Sequence, residues 1–169
     1  MLNNDLTREV DFQTFFERHP EFITGDDYVA AHAHVVLTTQ DGHQLIPDFM
    51  LEPVGRGQLC DLLELKLPTA PVIVGRPGRT RLSATVAAAH AQLRQYREHF
   101  NEERHRDALR QQYGLEVFHP AMYVLIGRRG SVSPFDFRRS EAAAPELRLL
   151  TYDDVLDRVR RRLERRRLR

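Results

Sequence analysis

Apolar side chains near the start of the chain follow the spacing of a helix. Phe12, Phe15 and Phe16 recur at positions i, i+3 and i+4, which places them on one helical face. Thr7 stands just before this stretch and is a residue type that commonly caps a helix N-terminus. The pattern therefore predicts a first helix over residues 7–17 that packs its phenylalanine face into a core.

Three extended runs follow, each rich in β-branched or aliphatic residues. They lie at residues 28–39, 44–52 and 58–67. Asp41-Gly42 separates the first two runs and is a strong signal for a tight hairpin turn. Gly55-Arg56-Gly57 separates the second run from the third. We therefore expect three consecutive antiparallel strands.

The second half of the chain alternates between loop, helix and strand patterns. Segment 68–81 combines proline, glycine and arginine and predicts a mobile loop. Residues 83–113 contain neither proline nor glycine and predict one long helix, capped by Ser83 and ended by Gly114. The last elements are two strands and a helix, predicted at residues 121–127, 147–150 and about 152–169.

These elements predict one domain over residues 1–169 of the α/β (α+β) class. Its mixed β-sheet is flanked by helices in the order αβββαββα.

The chain is 41% hydrophobic and 29% charged, which is ordinary for a globular protein. No apolar run is long enough to cross a membrane, and the first residues lack a secretory pattern. Cys60 is the only cysteine, which excludes internal disulfides. We expect a cytoplasmic protein with no membrane partner.

The distribution of positive charge is more informative than the net charge of +1. The chain has 25 Lys and Arg residues, and Lys66 is its single lysine. Lysine is a compact charge with a tunable pKa, unlike arginine, so Lys66 is a candidate for chemistry. The arginine-rich stretch 158–169 is either a solvated helix face or a surface that attracts phosphate.

Two carboxylates are placed symmetrically about the turn of the second hairpin. Asp48 lies eight residues before Arg56, and Glu64 lies eight residues after it. A symmetric register puts these side chains opposite each other, with Cβ atoms about 4.5–5.5 Å apart. Lys66 projects from the same face, about 7 Å further along the strand. Pro47 beside Asp48 predicts an edge or bulged strand position.

The leucine-rich setting of these charges favours a metal site. Charged groups in an apolar strand are costly to bury unless they are paired. Asp48 and Glu64 carry two negative charges, and Lys66 returns only one positive charge. Mg²⁺, or Mn²⁺ in its place, suits two hard oxygen ligands. The alternative is a structural ion pair between Lys66 and Glu64.

Gln92 and Tyr96 are four residues apart on the long predicted helix and therefore share one face. Their amide and phenol groups could bind a phosphate or orient a metal ligand. The alternative is a solvent-facing glutamine beside a tyrosine at the core edge.

Pro47-Asp48, Glu64-Leu65-Lys66 and Gln92-x-x-x-Tyr96 together resemble the motifs of the PD-(D/E)XK nuclease superfamily. Within it, the chain resembles the Shedu anti-phage nuclease family over most of its 169 residues. The segments that carry this resemblance are 9–20, Ile46-Pro-Asp-Phe49, Leu63-Glu-Leu-Lys-Leu-Pro68, Tyr123-Val-Leu-Ile-Gly-Arg128 and Leu150-Thr-Tyr-Asp-Asp-Val155.

The resemblance implies a role for each candidate residue. Asp48 and Glu64 would bind Mg²⁺ with help from the main-chain carbonyl of Leu65, and Lys66 would position the attacking water. Glu9 matches a first-helix glutamate that completes the metal shell in this superfamily, although Asp11 and Glu17 are nearby alternatives. Gln92 and Tyr96 match the helix motif. The implied activity is Mg²⁺-dependent endonucleolytic hydrolysis of DNA in anti-phage defence.

Other residues add alternatives to this hypothesis. Arg76, Arg79 and Arg81 could contact a DNA backbone, or could belong to a flexible basic loop. His32 and His34 alternate along one predicted strand and could share a metal, although such histidines are more often ordinary polar residues. A catalytically silent nucleic-acid-binding module, or a homo-oligomer built on the long helix, remains an alternative on the same fold.

Overall fold

The computed structural model describes residues 8–55, 57–130 and 133–167. Its elements in chain order are α1 Glu9–Arg18, α2 Glu21–Thr24, β1 Tyr28–His32, β2 Leu37–Thr38, β3 Gln44–Leu45, β4 Phe49–Pro53, β5 Asp61–Leu65, β6 Ile73–Arg76, β7 Arg79–Leu82, α3 Ala84–His99, α4 Glu103–Tyr113, β8 Met122–Leu125, α5 Pro134–Ala142, β9 Leu147–Leu150 and α6 Tyr152–Arg167.

A five-stranded sheet in the order β1-β4-β5-β8-β9 forms the centre of the molecule. Strands β1, β4 and β5 pair antiparallel, whereas β8 pairs parallel with both β5 and β9. A parallel partner for β5 requires a crossover connection, which contains α3 and α4. The predicted mixed sheet flanked by helices is therefore confirmed, although the chain contains more helices and strands than predicted.

Side chains alternate between the two faces of this sheet and build a hydrophobic core on each side. One core joins strand residues to α3 and α4 and includes Met50, Leu62, Val124, Leu93 and Leu109. The other joins the opposite sheet face to α1 and α6 and includes Phe49, Leu63, Leu65, Phe12 and Val155. Because β5 is covered on both faces, a charge placed on it is removed from water.

The first predicted hairpin exists, but its two long strands are each divided. His34 has a positive φ of 59°, which breaks the first run between β1 and β2. Pro47 interrupts the second run between β3 and β4. The short strands β2 and β3 close the Asp41-Gly42 turn as a separate two-stranded sheet. The longer segments β1 and β4 pair in the main sheet, so β4 is an interior strand. Of the two predicted positions for Pro47, the sheet edge is therefore wrong, whereas Pro47 and Asp48 do lie at a break in the strand pattern between β3 and β4.

Segment 68–81 is not the mobile loop that its composition predicted. Strands β6 and β7 form an antiparallel hairpin within it. Pro77 and Gly78 occupy its turn, where the φ of +77° at Gly78 matches the glycine position of a type II turn. The proline and glycine therefore mark a tight turn within a folded hairpin.

The single long helix predicted over 83–113 is two helices. Ser83 caps α3 by accepting a hydrogen bond from the main-chain N–H of Val86, and Gly114 follows the end of α4, both as predicted. The break lies at Phe100, which is fully buried. The guanidinium of Arg106 donates to the main-chain carbonyl of Phe100 at 2.7 Å, which satisfies a carbonyl left free at the end of α3.

Smaller differences lie at the ends of the predicted elements. Helix α1 follows Arg8, and the proposed cap Thr7 lies outside the described residues. Helix α5 was missed, although Ser133-Pro134 is a recognisable helix start and Ser133 does cap it. Among the described helices, none is long and apolar enough to span a membrane.

Candidate functional site

The β4–β5 hairpin brings the two predicted carboxylates together. Phe49 pairs with Leu63, and Met50 pairs with Leu62. Continuing this register by one residue places Asp48 opposite Glu64, as the symmetric turn predicted. Asp48 itself precedes β4, so its backbone is released from the strand and its side chain can turn towards β5.

Asp48 is held in place through its side chain and its main chain. Its Oδ2 accepts a hydrogen bond from the main-chain N–H of Leu65 at 2.7 Å. Its carbonyl accepts a hydrogen bond from the Gln13 amide at 3.1 Å. Burial nevertheless raises the pKa of Asp48, against the lowering effect of the Leu65 N–H and of Lys66. The carboxylate is therefore oriented but short of compensating positive charge.

Glu64 is the most deeply buried charge of this site, with 2% of its surface exposed. Its Oε1 accepts a hydrogen bond from the Lys66 ammonium at 3.0 Å. Its Oε2 is buried and has no hydrogen-bond partner among the described residues. Burial, and then the neighbouring charge of Asp48, raises the pKa of Glu64 to about 7. An unpaired buried carboxylate oxygen is costly, so a site of this kind favours a cation.

Lys66 follows β5 and is anchored through its backbone at the carboxyl end of the strand. Its N–H donates to the carbonyl of Leu125, and its carbonyl accepts from the phenol of Tyr152. Burial lowers the pKa of the ammonium, but the carboxylates of Glu64 and Glu9 raise it by more. Lys66 is therefore a cation at neutral pH.

Glu9 approaches the site from the first turn of α1. Its Oε2 lies 3.6 Å from the ammonium of Lys66, and about half of its side chain is exposed. The alternatives Asp11 and Glu17 are engaged elsewhere, Asp11 with the N–H of Arg8 and Glu17 with His34. Across residues 8–55, 57–130 and 133–167, no three His, Cys, Asp or Glu side chains form a metal-binding group. Asp48 and Glu64 therefore form a pair of neighbouring carboxylates. Glu9 contacts the ammonium of Lys66 but does not complete a three-residue metal-binding group with them.

Gln92 and Tyr96 share a face of α3, and this face is turned towards the carboxylates. The amide of Gln92 donates to the phenol oxygen of Tyr96, which donates to the carbonyl of Ile46 at 3.2 Å. Burial raises the pKa of Tyr96 to about 12; the Gln92 hydrogen bond lowers it, and the charges of Glu64 and Asp48 raise it. The pair therefore anchors the chain two residues before Asp48.

Two residues near the site were not among the predicted ones. Gln13 bonds the Asp48 carbonyl, and its Oε1 is buried without a hydrogen-bond partner in the described part of the chain. The signal was its position one helical turn after Glu9. Tyr152 bonds the Lys66 carbonyl from the start of α6, a long-range contact that periodicity alone does not reveal.

In the described part of the chain, no hydrogen bond or ion pair joins the remaining predicted residues to this cluster. Arg76, Arg79 and Arg81 are exposed on the β6–β7 hairpin. His32 and His34 do not act as a pair, since His32 lies 2.8 Å from Glu52 and His34 lies 2.8 Å from Glu17.

Comparison with known proteins identifies the family of the chain. A family model described as Shedu protein SduA, C-terminal, matches residues 7–156. No curated protein matches the sequence. The matched span contains the carboxylate pair, the single lysine and the helix that carries Gln92 and Tyr96. The chain therefore belongs to the Shedu SduA C-terminal family, which suggests a role in anti-phage defence.

Proposed function

We propose that this Shedu-family chain is a Mg²⁺-dependent endonuclease that hydrolyses DNA phosphodiester bonds, built on a PD-(D/E)XK core. One observation carries the proposal. The Oε2 atom of Glu64 is buried without a hydrogen-bond partner in the described residues, next to a second carboxylate and the only lysine of the chain. A divalent cation is the ligand that would compensate it.

The donor atoms fit magnesium. Asp48 and Glu64 offer hard carboxylate oxygens, and the Leu65 carbonyl belongs to the same strand end. Mg²⁺ commonly takes one or two protein carboxylates and keeps several waters, so a pair of acidic side chains is sufficient. When bound, the ion would supply Lewis-acid polarisation of the phosphate and an activated water. Mn²⁺ has similar ligand preferences and would substitute.

Lys66 supplies the positive charge that the protein itself contributes. Its ammonium is held by Glu64 at 3.0 Å and Glu9 at 3.6 Å, which restricts it to the carboxylate side of the site. There it would attract an anionic phosphate and hold the attacking water. Such preorganised charge is a common source of rate enhancement in phosphoryl chemistry.

Proton balance links activity to pH. With a pKa of about 7, Glu64 binds a proton over part of the neutral range when no cation is present. A metal ligand must be deprotonated, so cation affinity should increase as pH rises through 7.

The ion pairs of Lys66 favour a second candidate. If Glu64 and Glu9 hold the ammonium permanently, the cluster is structural and the chain is a catalytically silent nucleic-acid-binding or oligomerisation module. Removing one partner of a buried ion pair would then destabilise the fold strongly.

Plasmid nicking distinguishes the two candidates. The parent protein should nick supercoiled DNA with Mg²⁺ or Mn²⁺ and not with EDTA, and Lys66→Ala and Asp48→Asn should lose activity while remaining folded. Glu98→Gln, an exposed change on α3, is the matched control and should retain activity.

Calorimetric titration with Mn²⁺ should show binding by the parent and none by Asp48→Asn. Equal nicking by the parent and Lys66→Ala would refute the mechanism, and absence of Asp48-dependent Mn²⁺ binding would favour the silent module.

A further inference from the structure

The β6–β7 hairpin presents a positively charged outer face. Arg76 pairs with Arg79, and Val74 pairs with Arg81. Cross-strand partners and residues two apart lie on the same side of a β-ribbon, so the three arginines share one face. All three are exposed. Two like charges directly opposite each other are unfavourable unless an anion joins them.

Contacts on the opposite face and at the turn attach the hairpin to the rest of the protein. Ile73 is buried in the core, and the hydroxyl of Thr80 donates to Asp136 of α5 at 3.2 Å. Asp136 also accepts from the N–H of Gly78, whose carbonyl accepts from Arg139 at 2.6 Å. The arginine face is therefore held in place by contacts from behind.

These three arginines differ from many others in the chain. Arg97, Arg110 and Arg129, for example, each lie within 3.2 Å of a carboxylate. Across the ranges that the structure describes, Arg76, Arg79 and Arg81 form no ion pair and no side-chain hydrogen bond. Their charge is not neutralised within this part of the molecule.

The hairpin also lies at the functional end of the sheet. Its first strand begins seven residues after Lys66. Leu67, next to Lys66, accepts a hydrogen bond from Gly127 at the carboxyl end of β8. The chain thus leaves the candidate site and enters the hairpin directly.

We propose that the outer face of the β6–β7 hairpin binds the phosphate backbone of the polynucleotide substrate through Arg76, Arg79 and Arg81, without reading its base sequence. The inference rests on the proposed function for the identity of the anion. Backbone contacts from arginine carry no sequence information. Val74 is the other outward residue of this face and has no polar group with which to read a base edge.

The salt dependence of DNA binding tests this inference without cleavage. A fluorescein-labelled 30-bp duplex is titrated in EDTA between 50 and 200 mM salt, with a second duplex of unrelated sequence. The slope of log K against log salt is negative, and each lost phosphate contact reduces its magnitude by about 0.9, so Arg76→Gln/Arg79→Gln/Arg81→Gln should reduce that magnitude by about 2 to 3. Both duplexes should respond equally.

Two further variants make the result specific. Arg158→Gln/Arg160→Gln/Arg161→Gln on α6 removes the same charge elsewhere and should change the slope by less than about 1. Replacing the three hairpin arginines with lysine keeps their charge and should keep the slope. An unchanged slope in the hairpin glutamine variant, an equal loss in both glutamine variants, or no DNA binding by the parent at 50 mM salt overturns the inference. If the parent binds through the hairpin but never cleaves with Mg²⁺, the proposed activity fails while the binding face stands.

Discussion

Replacing Glu64 with glutamine should stabilise the metal-free protein at alkaline pH. The folded state raises the pKa of Glu64 from 4.5 to about 7. Between these two values, the folded protein retains a proton that the unfolded chain has already released. Stability therefore falls as pH rises through this window, by an amount that corresponds to about 3 kcal/mol.

Glutamine has nearly the shape of the protonated carboxyl and cannot ionise. In EDTA at pH 8, Glu64→Gln should therefore exceed the parent in free energy of unfolding by up to about 3 kcal/mol, which is about 6–12 °C in Tm for a chain of this size. Below pH 4.5 the difference should vanish. Urea denaturation at several pH values measures the stability difference at pH 8 and its disappearance below pH 4.5. The m-value checks that the unfolding transition itself is unchanged.

Glu98→Gln removes an exposed glutamate and should change the free energy of unfolding by less than about 0.5 kcal/mol at any pH. If Glu64→Gln is less stable than the parent at pH 8, the Lys66 ion pair outweighs the burial cost and our explanation of the site is wrong. With added Mn²⁺ the parent should become more stable than Glu64→Gln, because only the parent keeps both carboxylates to bind the ion.

Two other substitutions test the surroundings of the site. Tyr96→Phe removes the phenol hydroxyl that donates to the Ile46 carbonyl, so the free energy of unfolding should fall by about 1 kcal/mol in urea melts. Plasmid nicking should also weaken, and unchanged nicking would exclude a positioning role for Tyr96. Gly127→Ala should destabilise by at least about 2 kcal/mol, because its φ is +61° and a Cβ would lie 2.5 Å from the Ala70 carbonyl oxygen. Gly130→Ala is the control for backbone strain alone, because Gly130 has a φ of +53° and its Cβ would lie 3.7 Å from the Arg128 carbonyl oxygen. An equal loss of unfolding free energy in both variants would refute the steric argument.

Much of the site was predictable because a hairpin register is a local property. Once Gly55 and Gly57 mark the turn, equal counting along both strands brings Asp48 opposite Glu64, and the period of two places Lys66 on the Glu64 face. The i, i+4 spacing joined Gln92 to Tyr96 in the same way. These relations depend only on short-range geometry.

Predictions that relied on composition or on an uninterrupted pattern failed. Proline and glycine in 68–81 suggested a loop, yet Asp136, far along the chain, holds a hairpin there. The pattern over 83–113 showed no breaker, yet burial of Phe100 and the contacts of Arg106 divide the helix. In the first case the deciding contact is long-range, and in the second the deciding factor is the packing of Phe100 into the tertiary core.

By itself, the sequence determined the central strands, the pairing of Asp48 with Glu64 and the isolation of a single lysine beside them, since these follow from turn residues and backbone periodicity. Only the tertiary structure decided that β5 lies between β4 and β8 and is covered by a core on each face. That burial leaves Glu64 with a raised pKa and an oxygen without a partner in the described chain. The physical reason is that the free energy of a charge depends on everything packed around it, which a linear pattern does not contain.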